Sequence, residues 1–276
     1  MDIGQIDDTI LVTILYQALL NRDPDVEGLQ HHIARLRSGR TLHDIAIDFV
    51  VGTEFATSHS NRKLSMTLLH VGHSAEDATK FLEFVPPPTE ASKAYYLRLT
   101  SGFLARYCQG DLVLDVGFTG YANPEKRTSL PGAIGVDLDY PGYDGLHLPW
   151  ADNSVDCVFS SHCLEHIQFY QETIRDWHRV LKVGGYIVCI VPSRDLYEKK
   201  AFPPSRYNPD HKRFYTASRL VAEFEEALEP NTFRVRHVHD NDYGYDYSIG
   251  PESHAEGCYE IELVLEKTAK PSWTIS

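Results

Sequence analysis

Positive charge is scarce in this chain: 26 Lys and Arg stand against 39 Asp and Glu in 276 residues, a net charge of −13. A sequence-independent grip on phosphate backbones needs clustered cations, so a nucleic-acid partner is disfavoured, although a local basic patch stays open. Cysteine is thin as well. The five residues Cys108, Cys157, Cys163, Cys189 and Cys258 are widely spaced, and no C-x-x-C pair occurs. That argues against a disulfide framework or a zinc ribbon and predicts reduced, buried thiols. No apolar run approaches the roughly 18 residues a membrane span requires, and "MDIGQIDDTI" lacks the basic start of a signal peptide, so the expected location is cytoplasmic.

What is present first is a small helical unit. In "DDTILVTILYQALL" the residues Ile10, Leu11, Ile14, Leu15, Leu19 and Leu20 give a helical apolar stripe. Asp23-Pro24 fits the N-cap and first position of a second helix, which stops at Gly39, and Thr41 caps a third. Asp23, Asp25, Glu27 and Gly28 imitate the start of a calcium loop. The twelfth position is Ala34, where a bidentate Glu is required, so capping is the better reading. The expected organisation is a helical accessory domain over 1–57, a connector over 58–90 with one helix around Asp77–Phe84, and a main domain over 91–276. "EASKAYYLRLTSGFLARY" is expected to be helical.

The apolar run Leu112–Leu114 ends at Asp115-Val116-Gly117, which predicts a buried strand running into a turn close enough to a ligand to need glycine. Nucleotide loops usually carry further glycines at alternate positions; here those are Thr119 and Tyr121, with Gly120 between them. About twenty residues past Gly117, "AIGVDLD" predicts a second strand ending at Asp137, where a carboxylate can accept from both hydroxyls of a ribose. A strand-end Asp also forms turns, so this pair alone does not decide between readings.

"YDGLHLPWADNSVDCVFSSHCLEHI" and "RVLKVGGYIVCIVP" add the deciding pattern. Asp144, Leu148-Pro149-Trp150, Asp152-Asn153-Ser154, Asp156 and Leu164-Glu165-His166, then the K-x-G-G turn, resemble class I S-adenosylmethionine-dependent methyltransferases of the small-molecule type over most of residues 111–192. The resemblance implies an α/β Rossmann-like fold, a mostly parallel sheet with an antiparallel terminal hairpin that includes "CYEIELVLEK". It also implies S-adenosylmethionine as cofactor. Asp115, Gly117 and Gly120 would lie at its amino-acid end, Asp137 and Leu138 at the ribose, Asp144, Gly145 and Leu146 at the adenine, and Ser160 and Ser161 near the methyl. A sulfonium cofactor has no pyrophosphate, so Thr119 and Tyr121 are tolerable. The N-terminal "LYQALLNRDPDVEGLQHHIARLRSG…GTEF" resembles a helical domain of unknown function found on bacterial exported proteins and surface-glycan enzymes, which implies docking or self-association.

Methyl transfer to a hydroxyl needs a group that takes the acceptor's proton. His211, in the proline-broken "PPSRYNPDHKRFYT", is the favoured base or acceptor ligand, and His166 the second candidate. Glu165, Arg206, Asp210, Lys212 and Tyr243 are candidate acceptor contacts. "SRDLYEKKAFPPSRYNPDHKRFYT" resembles methyltransferases encoded with glycan and nucleotide-sugar enzymes, which implies O-methylation of a sugar of a surface glycan or its activated precursor. Another small metabolite, or a cofactor-free scaffold that binds partners, stays open. Asp240, Asp242 and Asp246 are candidate Mg²⁺ ligands, but runs of Asp, Asn and Gly are also turns, and no metal set is assigned.

Overall fold

The computed structural model describes residues 7–20, 22–51, 80–81, 84–118 and 126–273. It divides into two compact units, 1–85 with 95–105 and 86–94 with 106–276. Gly120, Thr119 and Tyr121, with most of the expected helix at Asp77–Phe84, lie outside the described residues.

In the first unit, α1 (Asp8–Leu15) runs into a π-turn (Tyr16–Leu20), followed by α2 (Val26–Arg37) and α3 (Leu42–Val51). The buried face is Val12, Tyr16 and Leu20, spaced by four and packed with Ile45 and Phe49. Ile10 and Ile14, expected in the stripe, are instead exposed. The N-cap of α2 also shifts, from Asp23 to Asp25, because the Asp25 carboxylate reaches the Gly28 N–H at 2.7 Å. Thr41 does cap α3: its Oγ1 accepts from Asp44 N at 3.1 Å, and Asp44 Oδ2 accepts from Thr41 N at 2.8 Å, a reciprocal box. "EASKAYYLRLTSGFLARY" is not continuous; α4 (Tyr95–Thr100) and α5 (Phe103–Tyr107) are separated by a turn at Ser101-Gly102.

The second unit is built on a six-stranded sheet of order β2-β1-β3-β4-β6-β5. β1 (Val113–Val116), β2 (Ile134–Val136), β3 (Val155–Ser161) and the first-paired face of β4 (Leu181–Pro192) are parallel. β6 (Glu260–Lys267) pairs antiparallel with both β4 and β5 (Phe233–Asn241), giving the expected terminal hairpin. Parallel strands covered on both faces read as unbroken apolar runs, as Leu112–Leu114 and "YIVCIVP" do. β6 departs from its alternating pattern: Glu260 and Glu262 are buried and take His162 Nε2 at 3.0 Å and His237 Nε2 at 3.2 Å.

α6 (Tyr170–Val180) buries Thr173, Ile174, Trp177 and Val180 on the sheet, and α7 (Ala217–Ala227) buries Leu220, Phe224 and Ala227 at helical spacing. Each fully buried large apolar side chain contributes about 1.5–3 kcal/mol. The "LPWADNSVD" segment is clipped to α6 rather than to a ligand. Arg179 donates to the carbonyls of Leu148 (3.0 Å) and Trp150 (2.9 Å) and to Asp152 (2.8 Å), and Asp176 accepts from Leu148 N at 2.7 Å. Asp156 likewise ties β1 to β4, accepting from Leu112 N at 2.9 Å and Lys182 Nζ at 2.7 Å.

Candidate cofactor and acceptor site

The carboxyl ends of β1, β2 and β3 lie side by side, because Val116 is in register with Val136 and with Ser160. Residues that follow these ends therefore converge on one edge, the position where open α/β sheets bind ligands. Two cavities lie there. The first, of about 620 Å³, is lined by residues that include Gly117, Asp137, Leu138, Tyr143, Asp144, Gly145, Leu146, Cys163, His166 and Asp210. The second, of about 460 Å³, includes Glu90, Asp115, Gly117, Lys126, Arg127, Ser129 and Ser161. Gly117 and His162 line both.

Gly117 is held at φ +91°, and a Cβ there would stand 2.5 Å from Cys163 Cβ and 2.7 Å from its Sγ. Its N–H donates to the Val136 carbonyl at 2.9 Å, tying the β1 turn to β2. Gly145, at φ +92°, would push a Cβ to 2.9 Å from Leu138 Cδ2. Both positions keep the first cavity's wall close to backbone, which only glycine allows. Cys163 is part of that wall, and burial pushes its thiol up to about 12. All five cysteines are free.

Asp115 is buried, and desolvation raises its carboxyl to about 6 although Ser129 N donates to it at 2.7 Å. Ser160 and Ser161 are buried next to it at the β3 end, each with an Oγ that lacks a partner. Asp115 and Ser161 line the second cavity and Ser160 does not; an acid poised to ionise beside an unsatisfied hydroxyl is a polar lining fit for an ammonium and a carboxylate. Glu90, Lys126 and Arg127 complete that lining. Sequence reading missed them; a basic pair just past the glycine turn was the available signal. Asp137 accepts from Leu138 N at 2.6 Å and still lines the first cavity. Asp144 Oδ1 caps the turn through Leu146 N (2.8 Å) and His147 N (2.6 Å), and these bonds hold its carboxyl well below the usual range. No helix intervenes between Asp137 and Asp144.

The acceptor candidates divide. Glu165 and His166 sit in a 3₁₀ turn (Leu164–His166) after β3, and Lys212 N donates to the Glu165 carbonyl at 2.8 Å, which docks the 208–213 segment against that turn. His166 and Asp210 line the first cavity and bond each other, Nδ1 to Oδ2, at 3.0 Å. His211 is only 4 % exposed and lines neither cavity; its ring lies 4.8 Å from that of His166, and its Nδ1 bonds Glu198. Lys212 Nζ pairs with Asp210 at 2.6 Å. Arg206 is tied to the Pro251 carbonyl and Glu252, both at 2.6 Å, and neither it nor Tyr243 lines the two cavities. Asp240 lies in β5, Asp242 accepts from Tyr247 OH and Asp246 from Ser248 N in the segment that follows, and among the described residues the three are not grouped as a convergent ligand set. Ligand atoms do converge at Glu165, His166 and His211, all within 4.8 Å of one another. No metal set was expected there, because the three residues come from two segments 45 positions apart.

Comparison with known proteins agrees with this edge of the sheet. Residues 101–189 match the family model described as methyltransferase domain, and residues 2–59 match a domain of unknown function (DUF4214). The chain is 31% identical over 148 residues to a Mycolicibacterium smegmatis protein named "Probable S-adenosylmethionine-dependent methyltransferase", covering 48% of this chain and 55% of that one. It is 35% identical over 89 residues to malonyl-[acyl-carrier protein] O-methyltransferase 1 of Coxiella burnetii, covering 28% of this chain and 32% of that one. The chain thus spans about half or less of the length of these curated relatives. A solved SAM-dependent methyltransferase from Archaeoglobus fulgidus aligns at 17% identity and a TM-score of 0.40 over 62% of this chain and 94% of its own. Residues 101–189, nearly all in the second unit, thus match a methyltransferase domain, and the first of these relatives is named as S-adenosylmethionine-dependent. Among the described residues no helix is long and apolar enough to cross a membrane.

Proposed function

We propose that the protein is an S-adenosylmethionine-dependent O-methyltransferase of a small hydroxylated acceptor, with a sugar of a surface glycan or its activated precursor as the preferred class. The observation that carries the reading is the pair of cavities meeting at Gly117, one lined by Asp137, Asp144 and apolar side chains, the other by paired acids and bases. A nucleoside fits the first and a zwitterionic amino-acid end fits the second. When bound, the cofactor supplies an electrophilic methyl on a sulfonium.

The chain's own residues do the rest. Asp137 accepts from the ribose hydroxyls, and the Leu138 and Leu146 side chains flank the base. Asp115 ionises against the ammonium. The acceptor enters on the His166 side, where Phe169, an exposed aromatic, flanks the first cavity. His166 makes the first contact with the acceptor hydroxyl, and the Glu165, His166 and His211 cluster is where its proton is lost. His211 acts from behind His166 rather than from the cavity wall. The sugar preference rests on the resemblance of residues 193–216 to glycan-linked methyltransferases. The helical unit serves docking or self-association.

Transfer of radiolabelled methyl to a panel of sugars, nucleotide sugars and simple diols tests this. Label should enter at least one hydroxylated acceptor, and His166→Ala should lower kcat by about 10²–10⁴-fold, the usual weight of a proton-transfer group. Label entering only amines, or no acceptor with cofactor bound, would refute the oxygen assignment.

A further inference from the structure

Glu165 poses a problem that methyl transfer alone does not explain. Its carboxylate is 0 % exposed, and neither oxygen has a hydrogen-bond partner. A carboxylate taken out of water without donors is strongly disfavoured. Yet three imidazole nitrogens stand around Oε1 just beyond hydrogen-bond range: His162 Nδ1 at 3.9 Å, His166 Nε2 at 3.8 Å and His211 Nε2 at 3.9 Å. Metal–ligand bonds of about 2.0–2.2 Å on each side span up to about 4.4 Å, which covers the 3.8 Å and 3.9 Å from Oε1 to the two Nε2 atoms; the three ligand atoms lie within 4.8 Å of one another, so a side-chain shift of a few tenths of an ångström brings all three onto one ion.

The outer partners point the same way. His166 directs Nδ1 at Asp210 and His211 directs Nδ1 at Glu198, each a carboxylate that fixes the proton on Nδ1. Both Nε2 lone pairs are thereby turned toward Glu165. A carboxylate behind each imidazole is the arrangement that orients metal-ligating histidines and raises their basicity. The backbone bonds that dock 208–213 on the 164–166 turn hold the two halves of the set together. His162 stays outside it: its Nδ1 lies 3.9 Å from Oε1, but the ligand atoms that converge within 4.8 Å of one another are those of Glu165, His166 and His211.

We propose that Glu165, His166 and His211 bind a divalent first-row transition ion, with His166 on the cavity side and Asp210 and Glu198 as positioning residues. Two imidazoles and one carboxylate suit Mn²⁺, Fe²⁺, Co²⁺ or Zn²⁺ rather than Mg²⁺ or Ca²⁺, which prefer all-oxygen sets. Three protein ligands leave coordination positions open, and since His166 is the ligand that lines the first cavity, an acceptor reaches the ion from its side. Resting on the methyltransferase reading, the inference narrows the acceptor to one that offers two adjacent oxygens to the ion, a vicinal diol or an α-hydroxy carboxylate. The bound hydroxyl is acidified and gives its proton to solvent; its oxygen then forms the bond to the methyl carbon as the carbon–sulfur bond breaks, the electron pair staying on sulfur.

Cobalt(II) titration of the chelator-stripped full chain, followed by its visible ligand-field bands, tests the site, with S-adenosylhomocysteine binding measured in parallel on each sample. The expected result is one equivalent per chain. Glu165→Gln and His166→Ala should weaken it at least 100-fold and Asp210→Asn about 10–100-fold. His166 is partly exposed, 27 % by side chain, so its variant keeps the test readable if the buried Glu165 variant fails to fold. Absence of Co²⁺, Mn²⁺ and Zn²⁺ binding by protein that still binds S-adenosylhomocysteine would overturn the metal site and leave the methyltransferase reading standing. Metal binding that persists in both variants would overturn it too. Metal binding without cofactor binding would support the site and sink the acceptor assignment.

Discussion

Gly117→Ala is the sharpest probe of the cofactor edge, because its cost divides into two parts that can be measured apart. The backbone at φ +91° is a conformation in which an L side chain costs about 1–2 kcal/mol. The new methyl must also stand 2.5 Å from Cys163 Cβ and 2.7 Å from Sγ, where contact distances begin near 3.5 Å. Pushing the turn after β3 aside in a packed wall adds about 1–3 kcal/mol. The sum is about 2–5 kcal/mol, or roughly 5–15 °C in Tm for a unit of this size. Cys163→Gly removes both contacted atoms, Cβ and Sγ, and not the backbone strain at residue 117. In the double variant about 1 kcal/mol or more of the steric part should return, read as a coupling energy in a denaturation cycle. S-adenosylhomocysteine affinity should fall in Gly117→Ala and recover partly in the double variant. A loss below about 0.5 kcal/mol, or additive effects with no recovery, would refute the close approach of β1 and the turn after β3.

Other outcomes follow from the same geometry. Asp115 has a folded pKa raised to about 6, above its value in an unfolded chain, so its ionised form is disfavoured in the fold and stability is lost as pH rises from about 4 through about 6. The rise from the ordinary value of 3.8 to about 6 is worth up to about 3 kcal/mol, so Asp115→Asn should be the more stable protein at pH 7 and about equal at pH 4. Cofactor binding should strengthen as pH rises through 6 and release a proton, a dependence that Asp115→Asn removes in calorimetry. Cys163 is half-buried, unlike the other four cysteines, but with its thiol pushed up to about 12 it should resist iodoacetamide at pH 8; rapid alkylation would contradict that raised pKa. Asp25→Ala should lower the unfolding temperature by removing the cap of α2, measured by thermal unfolding, and Asp25→Asn should restore most of it.

The fold was legible because its most diagnostic sequence is structural. Asp152 and Asp156 are recognised as motif residues, and both bind chain: Asp152 holds Arg179 of α6, and Asp156 joins β1 to β4. Such clips need particular residues at fixed spacing, so they survive as readable patterns. The strand-end glycine and carboxylates were readable for the same reason, since sheet register dictates where they emerge. Burial direction was not. Ile10 and Ile14 fit a helical stripe as well as Val12 and Tyr16 do, and only packing on Ile45 and Phe49 decides between faces. Glu260 and Glu262 read as solvent-facing until His162 and His237 are brought across the sheet to meet them. The Glu165, His166 and His211 cluster joins two segments through a loop docking that no local pattern encodes.

The central claim is that the sheet edge at Gly117 and Asp137 binds S-adenosylmethionine. Calorimetric titration of the full chain with S-adenosylhomocysteine, repeated on Asp137→Ala, tests it most directly. Binding in the micromolar range with one equivalent per chain, weakened at least tenfold by the substitution in protein that unfolds at an unchanged temperature, is the predicted result. No heat of binding at millimolar ligand, or affinity untouched by Asp137→Ala, would contradict it.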